Sequence, residues 1–161
     1  MSDPQLKPLT AVRPAGHWDA TRQASTITLT YDERYRRRRV LTADNGTACV
    51  LSLPRAVPLS EGDGLEGPEG EIYAIVAAPE PLLSITAESP MALMRLAWHL
   101  GNRHTPAALH RDHILIRPDH VLADMLRGLG ATVVEARAPF QPERGAYHDH
   151  GAGTGPGHSH D

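Results

Sequence analysis

Thr26-Ile27-Thr28-Leu29-Thr30-Tyr31 alternates polar and apolar side chains without interruption, which predicts a half-buried β-strand. Val40 to Ala43 is a second apolar run of strand length. Asp44-Asn45-Gly46 follows it, a hairpin signal because Asn and Gly tolerate positive φ. Thr47 to Leu53 predicts the returning strand, with Pro54 as its stop. Turns are expected at Glu61-Gly62-Asp63-Gly64 and Gly67-Pro68-Glu69-Gly70, then a strand from Ile72 to Ala77. No helical period runs between Ser25 and Ala78, so this part reads as a small all-β domain. Ahead of it, Pro4, Pro8, Pro14 and Gly16 punctuate an extended or loosely packed lead-in to about residue 24.

Pro79-Glu80-Pro81 reads as a short, stiff domain boundary. Beyond it Leu82 to Thr86 predicts a strand. Ser89 and Pro90 then supply an N-cap and first helical position. From Met91 to Leu100 only Arg95 and His99 are polar, so this helix needs cover on more than one side. A sheet and a second copy of the chain are the expected covers. Gly101 is the expected left-handed stop, which leaves His104 in a loop at the edge of an apolar surface. Pro106 to His110 and His113 to Arg117 predict two strands around an Arg111-Asp112 turn. A second helix is expected from Asp119 to Leu129, stopped by Gly130, and a last strand from Ala131 to Ala136. The order β-α-β-β-α-β is the ferredoxin-like arrangement. The expected fold is therefore α+β: a β domain over residues 1–80, a ferredoxin-like domain over 81–143 and a tail over 144–161. The tail collapses to small and polar residues, with nothing larger than Thr or Pro between Gly151 and Gly157. Disorder in the absence of a ligand is expected there.

Composition narrows the class. A formal net charge of −3 argues against a general nucleic-acid binder. Cys49 stands alone, which excludes an internal disulfide and fits a reducing compartment. Polar, proline-containing sequence follows Met1, and no stretch is apolar enough to span a membrane, so a soluble cytoplasmic protein is expected. Aromatic residues make up only 4% of the chain, which leaves few large core anchors and favours support by assembly.

Histidine is the compositional oddity. Of ten, four (His148, His150, His158 and His160) fall within the last fourteen residues. In extended chain, residues i and i+2 point the same way, so each pair can chelate a metal ion. Imidazole suits nickel, copper and zinc, and affinity alone does not select among them. His110 and His113 flank a turn across which they can face one another. His99, inside the helix, reads as a packed residue. Arg34 and Arg36 to Arg39 form a basic run, read as a solvated strand edge that repels other edges, with docking of an acidic partner surface as the alternative. Gly62-x-Gly64 is too short for a phosphate loop. A metal-dependent hydrolase is disfavoured: there is no HExxH and no glutamate spaced as a general base near His104 or His120.

Leu96-Ala97-Trp98-His99-Leu100-Gly101-Asn102-Arg103-His104, with the histidine of Asp119-His120-Val121-Leu122 sixteen residues beyond His104, resembles the UreE family of urease accessory nickel chaperones. The likeness extends to Thr30-Tyr31-Asp32-Glu33-Arg34, Ala138-Pro139-Phe140-Gln141-Pro142-Glu143, Gly145-Ala146-Tyr147 and the histidine-bearing tail. It implies a non-enzymatic homodimer with a β domain of partner-binding type. A nickel ion is expected between copies at His104, supplemented by tail histidines, and Zn²⁺ or Cu²⁺ are expected competitors. His120 matches a position that in some members binds an additional metal, although this chain has Pro118 where some carry a second histidine. The implied partners are the urease accessory GTPase and the urease apoprotein complex. Passive metal buffering by the tail is the rival reading.

Overall fold

The computed structural model describes residues 5–145; the four tail histidines lie outside the described residues. Its N-terminal half is β structure with two single-turn 3-10 helices, at Ala20–Arg22 and Asp32–Arg34. Seven strands form it: β1 (Lys7–Leu9), β2 (Ala11–Arg13), β3 (Gln23–Leu29), β4 (Tyr35–Thr42), β5 (Ala48–Pro58), β6 (Gly64–Glu66) and β7 (Ile72–Ala77). They make two sheets, ordered β1-β5-β4 and β2-β6-β7-β3. Leu9, Leu41 and Leu51 from the first sheet and Ile27, Leu65, Tyr73 and Ile75 from the second are buried in one core.

Several expectations about this half need correction. The lead-in is not loose. Its Lys7–Leu9 segment pairs in parallel with Cys49 to Leu51, and Leu9 is fully buried. Pro54 does not stop β5, which continues to Pro58. The ladder register instead jumps from Arg38↔Ser52 to Arg36↔Val57, and the proline sits in the excluded stretch where no ladder N–H is required. Gly64, read as part of a turn, begins β6. Arg34 is not part of a solvated run: it is buried, whereas Arg36, Arg37 and Arg38 are exposed on the edge strand β4.

The C-terminal half follows the order β8 (Pro79–Thr86), α1 (Pro90–Asn102), β9 (Ala107–Leu109), β10 (Ile114–Ile116), α2 (His120–Gly128) and β11 (Thr132–Pro139). Its four strands pair antiparallel in the order β11-β8-β10-β9. Pro79-Glu80-Pro81 lies inside β8, paired with Pro139, Ala138 and Arg137. On its other side β8 meets β10 only at Leu83 to Ile85, so these prolines occupy a locally open edge.

Ser89 caps α1, its Oγ accepting from Ala92 N at 3.1 Å, and Asp119 caps α2, its Oδ1 accepting from Leu122 N at 3.0 Å. A cap contributes about 1 kcal/mol, whereas full burial of one leucine contributes about 1.5–3 kcal/mol. Leu96, Leu100 and Leu126, buried with Ile85, Ile114 and Ile116, therefore hold the helices to the sheet more firmly than the caps do.

Gly64 provides a test of the β half. A Cβ there would lie 2.6 Å from Ile72 Cγ2 and 3.2 Å from Trp18 Nε1. Trp18 is tied over the site, donating to Gly62 O at 3.0 Å, so neither neighbour retreats freely. Gly64→Ala should lower unfolding free energy by about 1–3 kcal/mol in urea titration. Wild-type stability in that variant would show the packing to be looser than described.

Candidate metal centre

The centre is organised by how α1 ends. Thr105 N donates to Leu100 O at 3.2 Å and His104 N donates to Gly101 O at 3.1 Å. This pair of bonds is the Schellman motif, which requires a left-handed residue at its penultimate position. α2 ends in the same way, with Ala131 N donating to Leu126 O and Gly130 N to Arg127 O, both at 3.0 Å. There the left-handed residue is glycine, with φ 91°; in α1 it is His104, with φ 55°. His104 is the one non-glycine residue with positive φ among the described residues. The expectation that Gly101 stops the helix is thus corrected. Gly101 remains helical, because the carbonyl of Leu100, the last buried residue, is satisfied by Thr105. A left-handed side chain costs about 1–2 kcal/mol, though histidine tolerates the region better than most residues.

His104 is exposed and borders a recess of about 510 Å³ with Arg103, Thr105, Pro106, Arg117, Asp119 and Leu122. Asp119 brings a carboxylate to the same recess, although its Oδ1 is engaged in capping α2. Arg117 was not singled out from sequence. Its guanidinium stacks over the Tyr31 ring at 4.9 Å and donates to Asp32 Oδ1 at 2.9 Å, linking the recess to the β half. Partners 85 positions apart leave no local signal in sequence.

On α1, Leu93, Leu96, Ala97 and Leu100 face the sheet. Met91, Met94 and Trp98 form the opposite stripe and are 53%, 64% and 65% exposed. The stripe runs on to Gly101, where a Cβ would meet nothing within 4 Å, and His104 is one further turn along. His99 is half-buried, its ring edge-on to Trp98 with centroids 5.1 Å apart.

His110, His113 and His120 do not border this recess. His120, first residue of α2, is exposed. His110 and His113 sit opposite one another on the β9–β10 hairpin, rings stacked with centroids 4.4 Å apart and planes 3° from parallel. The His113 Nδ1–H donates to Asp112 Oδ1 at 2.6 Å, and this bond holds the Asp112 carboxyl below its ordinary range. Among the described residues no three His, Cys, Asp or Glu side chains converge as a metal cage.

An α+β protein whose candidate centre is one outward-facing imidazole beside an open apolar helix face can now be set against known proteins. The family described as UreE urease accessory protein, N-terminal domain, matches residues 7–78, and its C-terminal domain matches residues 80–161. The urease accessory protein UreE of Chelativorans sp. is 47% identical over 143 residues, covering 87% of this chain and 90% of the relative. That of Rhizobium rhizogenes is 44% identical over 155 residues, covering 96% and 89%. The Rhodopseudomonas palustris HaA2 relative is 49% identical over 131 residues, and the match spans 60% of its length. The chain belongs to the UreE family of urease accessory proteins. That family consists of accessory chaperones, not enzymes.

The left-handed backbone gives a prediction free of metal chemistry. His104→Gly should stabilise the metal-free protein by about 0.5–1 kcal/mol relative to His104→Ala, since only glycine relieves the strain. Urea unfolding of both variants in chelator measures this; equal stability would place residue 104 outside the left-handed region.

Proposed function

We propose that the protein is a nickel metallochaperone of urease maturation, acting as a homodimer joined through its C-terminal, ferredoxin-like domain. Ni²⁺ is its cargo. The ion is held at the dimer seam by His104 from both copies, with His148, His150, His158 and His160 completing the coordination, and Zn²⁺ or Cu²⁺ as competitors. Delivery runs in the cytoplasm to the accessory GTPase and from there to the urease apoprotein.

One observation carries the reading: an exposed histidine is held in a costly left-handed conformation one turn beyond an open apolar stripe. A second copy seated on Met91, Met94 and Trp98 removes that stripe from water, and Gly101 allows close backbone approach. Two imidazoles then meet where each chain offers one. The chain order β-α-β-β-α-β and the antiparallel order of its sheet support the ferredoxin-like description.

The position of the tail root supports the tail's role. Glu143 N donates to Ala107 O at 2.9 Å, so the chain leaves the fold beside the start of β9. Ala107 is three residues from His104, at most about 10 Å of chain. His148 is five residues beyond Glu143, at most about 17 Å. Tail imidazoles are therefore in reach of the His104 region.

Two measurements test this. Met94→Glu with Trp98→Glu should convert a micromolar dimer to monomer in sedimentation, each charge losing its aqueous shell in the seam. A protein that sediments as a monomer before substitution overturns the assembly. His104→Ala should abolish the tightest Ni²⁺ site, one ion per dimer by calorimetry, while weaker tail binding and the dimer persist. If the tight site survives, buffering by the tail is the better account.

A further inference from the structure

The β9–β10 hairpin places a second pair of imidazoles at a fixed separation, away from the recess at His104. His110 N donates to His113 O at 2.9 Å, and the adjacent pair Leu109↔Ile114 continues the ladder, so the two residues stand directly opposite. Their rings lie 4.4 Å apart and nearly parallel. The Asp112 carboxylate accepts from His113 Nδ1, which fixes that nitrogen as the protonated one and leaves the Nε2 lone pair directed away. A carboxylate holding the far nitrogen of an imidazole is the arrangement that orients histidine ligands and raises their basicity. His110 is exposed, and the His113 side chain keeps 31% of its surface, so an ion can enter and water can fill its remaining positions.

Geometry limits what such a pair can hold. With metal–nitrogen bonds of about 2.1 Å, two ligands at a right angle need nitrogens about 3 Å apart. The parallel stack is not itself that arrangement, because both lone pairs must point at one ion. Rotation of the His110 ring about its Cβ–Cγ bond opens the stack while Asp112 keeps hold of His113, and this torsion is broad and soft in histidine. Hard cations such as Mg²⁺ and Ca²⁺ prefer oxygen cages, whereas two imidazoles suit borderline first-row ions.

We propose that His110 and His113 form a second metal site, a two-imidazole chelate for Ni²⁺, Cu²⁺ or Zn²⁺ oriented by Asp112. It depends on neither dimerisation nor His104. It is open and water-completed, hence a weak and rapidly exchanging site in contrast to a seam that captures an ion between copies. Each chain carries one.

The test uses the full chain carrying His104→Ala, with nuclear magnetic resonance during Ni²⁺ titration and diamagnetic Zn²⁺ as control. The amides of Arg111 and Asp112 and the rings of His110 and His113 should broaden with Ni²⁺ and only shift with Zn²⁺. Adding His110→Gln and His113→Gln should abolish both responses at the hairpin, with the remaining spectrum unchanged. Asp112→Asn should keep the response but require about 10–100-fold more metal. Hairpin signals that stay sharp at Ni²⁺ excess, or broadening that persists in the double glutamine variant, overturn the proposal. Repeating the titration without His104→Ala separates the two sites: failure at the hairpin leaves the seam reading standing, and the reverse holds equally.

Discussion

The buried guanidinium of Arg34 is the interaction on which the relation between the two halves depends. It donates to Thr30 O and Leu59 O in the β half and to Phe140 O, just past the end of β11. Removing such a charge from water is costly unless its donors are used and opposite charge lies near. Burial lowers the proton affinity of Arg34, and Glu80 and Glu61 oppose that effect. Around it Tyr31 packs edge-on to the buried Phe140 at 5.2 Å, and Glu80 accepts from Tyr31 N at 2.9 Å. The chain just past Phe140 is fastened to both halves: Gln141 accepts from Glu61 N, Glu143 donates to Ala107 O, and Arg144 donates to Pro58 O. The tail therefore starts from a fixed point beside β9 because a charge was buried 106 positions earlier in the chain.

A second constraint acts at a single residue. The two helices of the C-terminal half end in the same hydrogen-bond pattern, one closed by glycine and the other by histidine. Glycine is the low-strain choice at that position, and the chain uses it at Gly130. At His104 the left-handed backbone is kept together with a side chain, which is exposed and borders the recess. Strain of this kind persists where the surroundings hold it in place. Here the surroundings are the two carbonyls at the end of α1 and the buried Leu100 beneath them.

What was legible in the sequence was local. Alternation located β3, Asn45-Gly46 located a hairpin in which Gly46 has φ 89°, and Ser89 and Asp119 located both helix starts. What was missed depends on residues far along the chain. β1, β2 and β6 have three residues each, too few to show a period, and β1 exists because Cys49 to Leu51 pair with it. Pro54 read as a stop because a proline cannot extend a regular ladder, yet it occupies a register break. Pro79-Glu80-Pro81, read as a stiff boundary, is itself paired within β8 at a locally open edge. Arg34 looked like the first of a surface run, since nothing nearby announces that Phe140 closes over it. The GNRH segment drew attention to His104, but the glycine in it diverted the expected left-handed position three residues too early.

In the proposed assembly, one imidazole per copy ties ion binding to subunit association. A single exposed imidazole completes no coordination sphere, so an isolated copy holds nickel poorly at this point. Joining two copies supplies the second ligand. By linkage, whatever factor the ion gains from the dimer, the dimer gains from the ion. A closed cage of four ligands from one chain would hold the ion without that dependence and would release it slowly. Exposed ligands divided between two chains and a nearby tail root instead let a competing ligand approach before the ion has left. The strain at His104 and the open stripe on α1 are separate costs in the monomer, and the seam is where both would be offset.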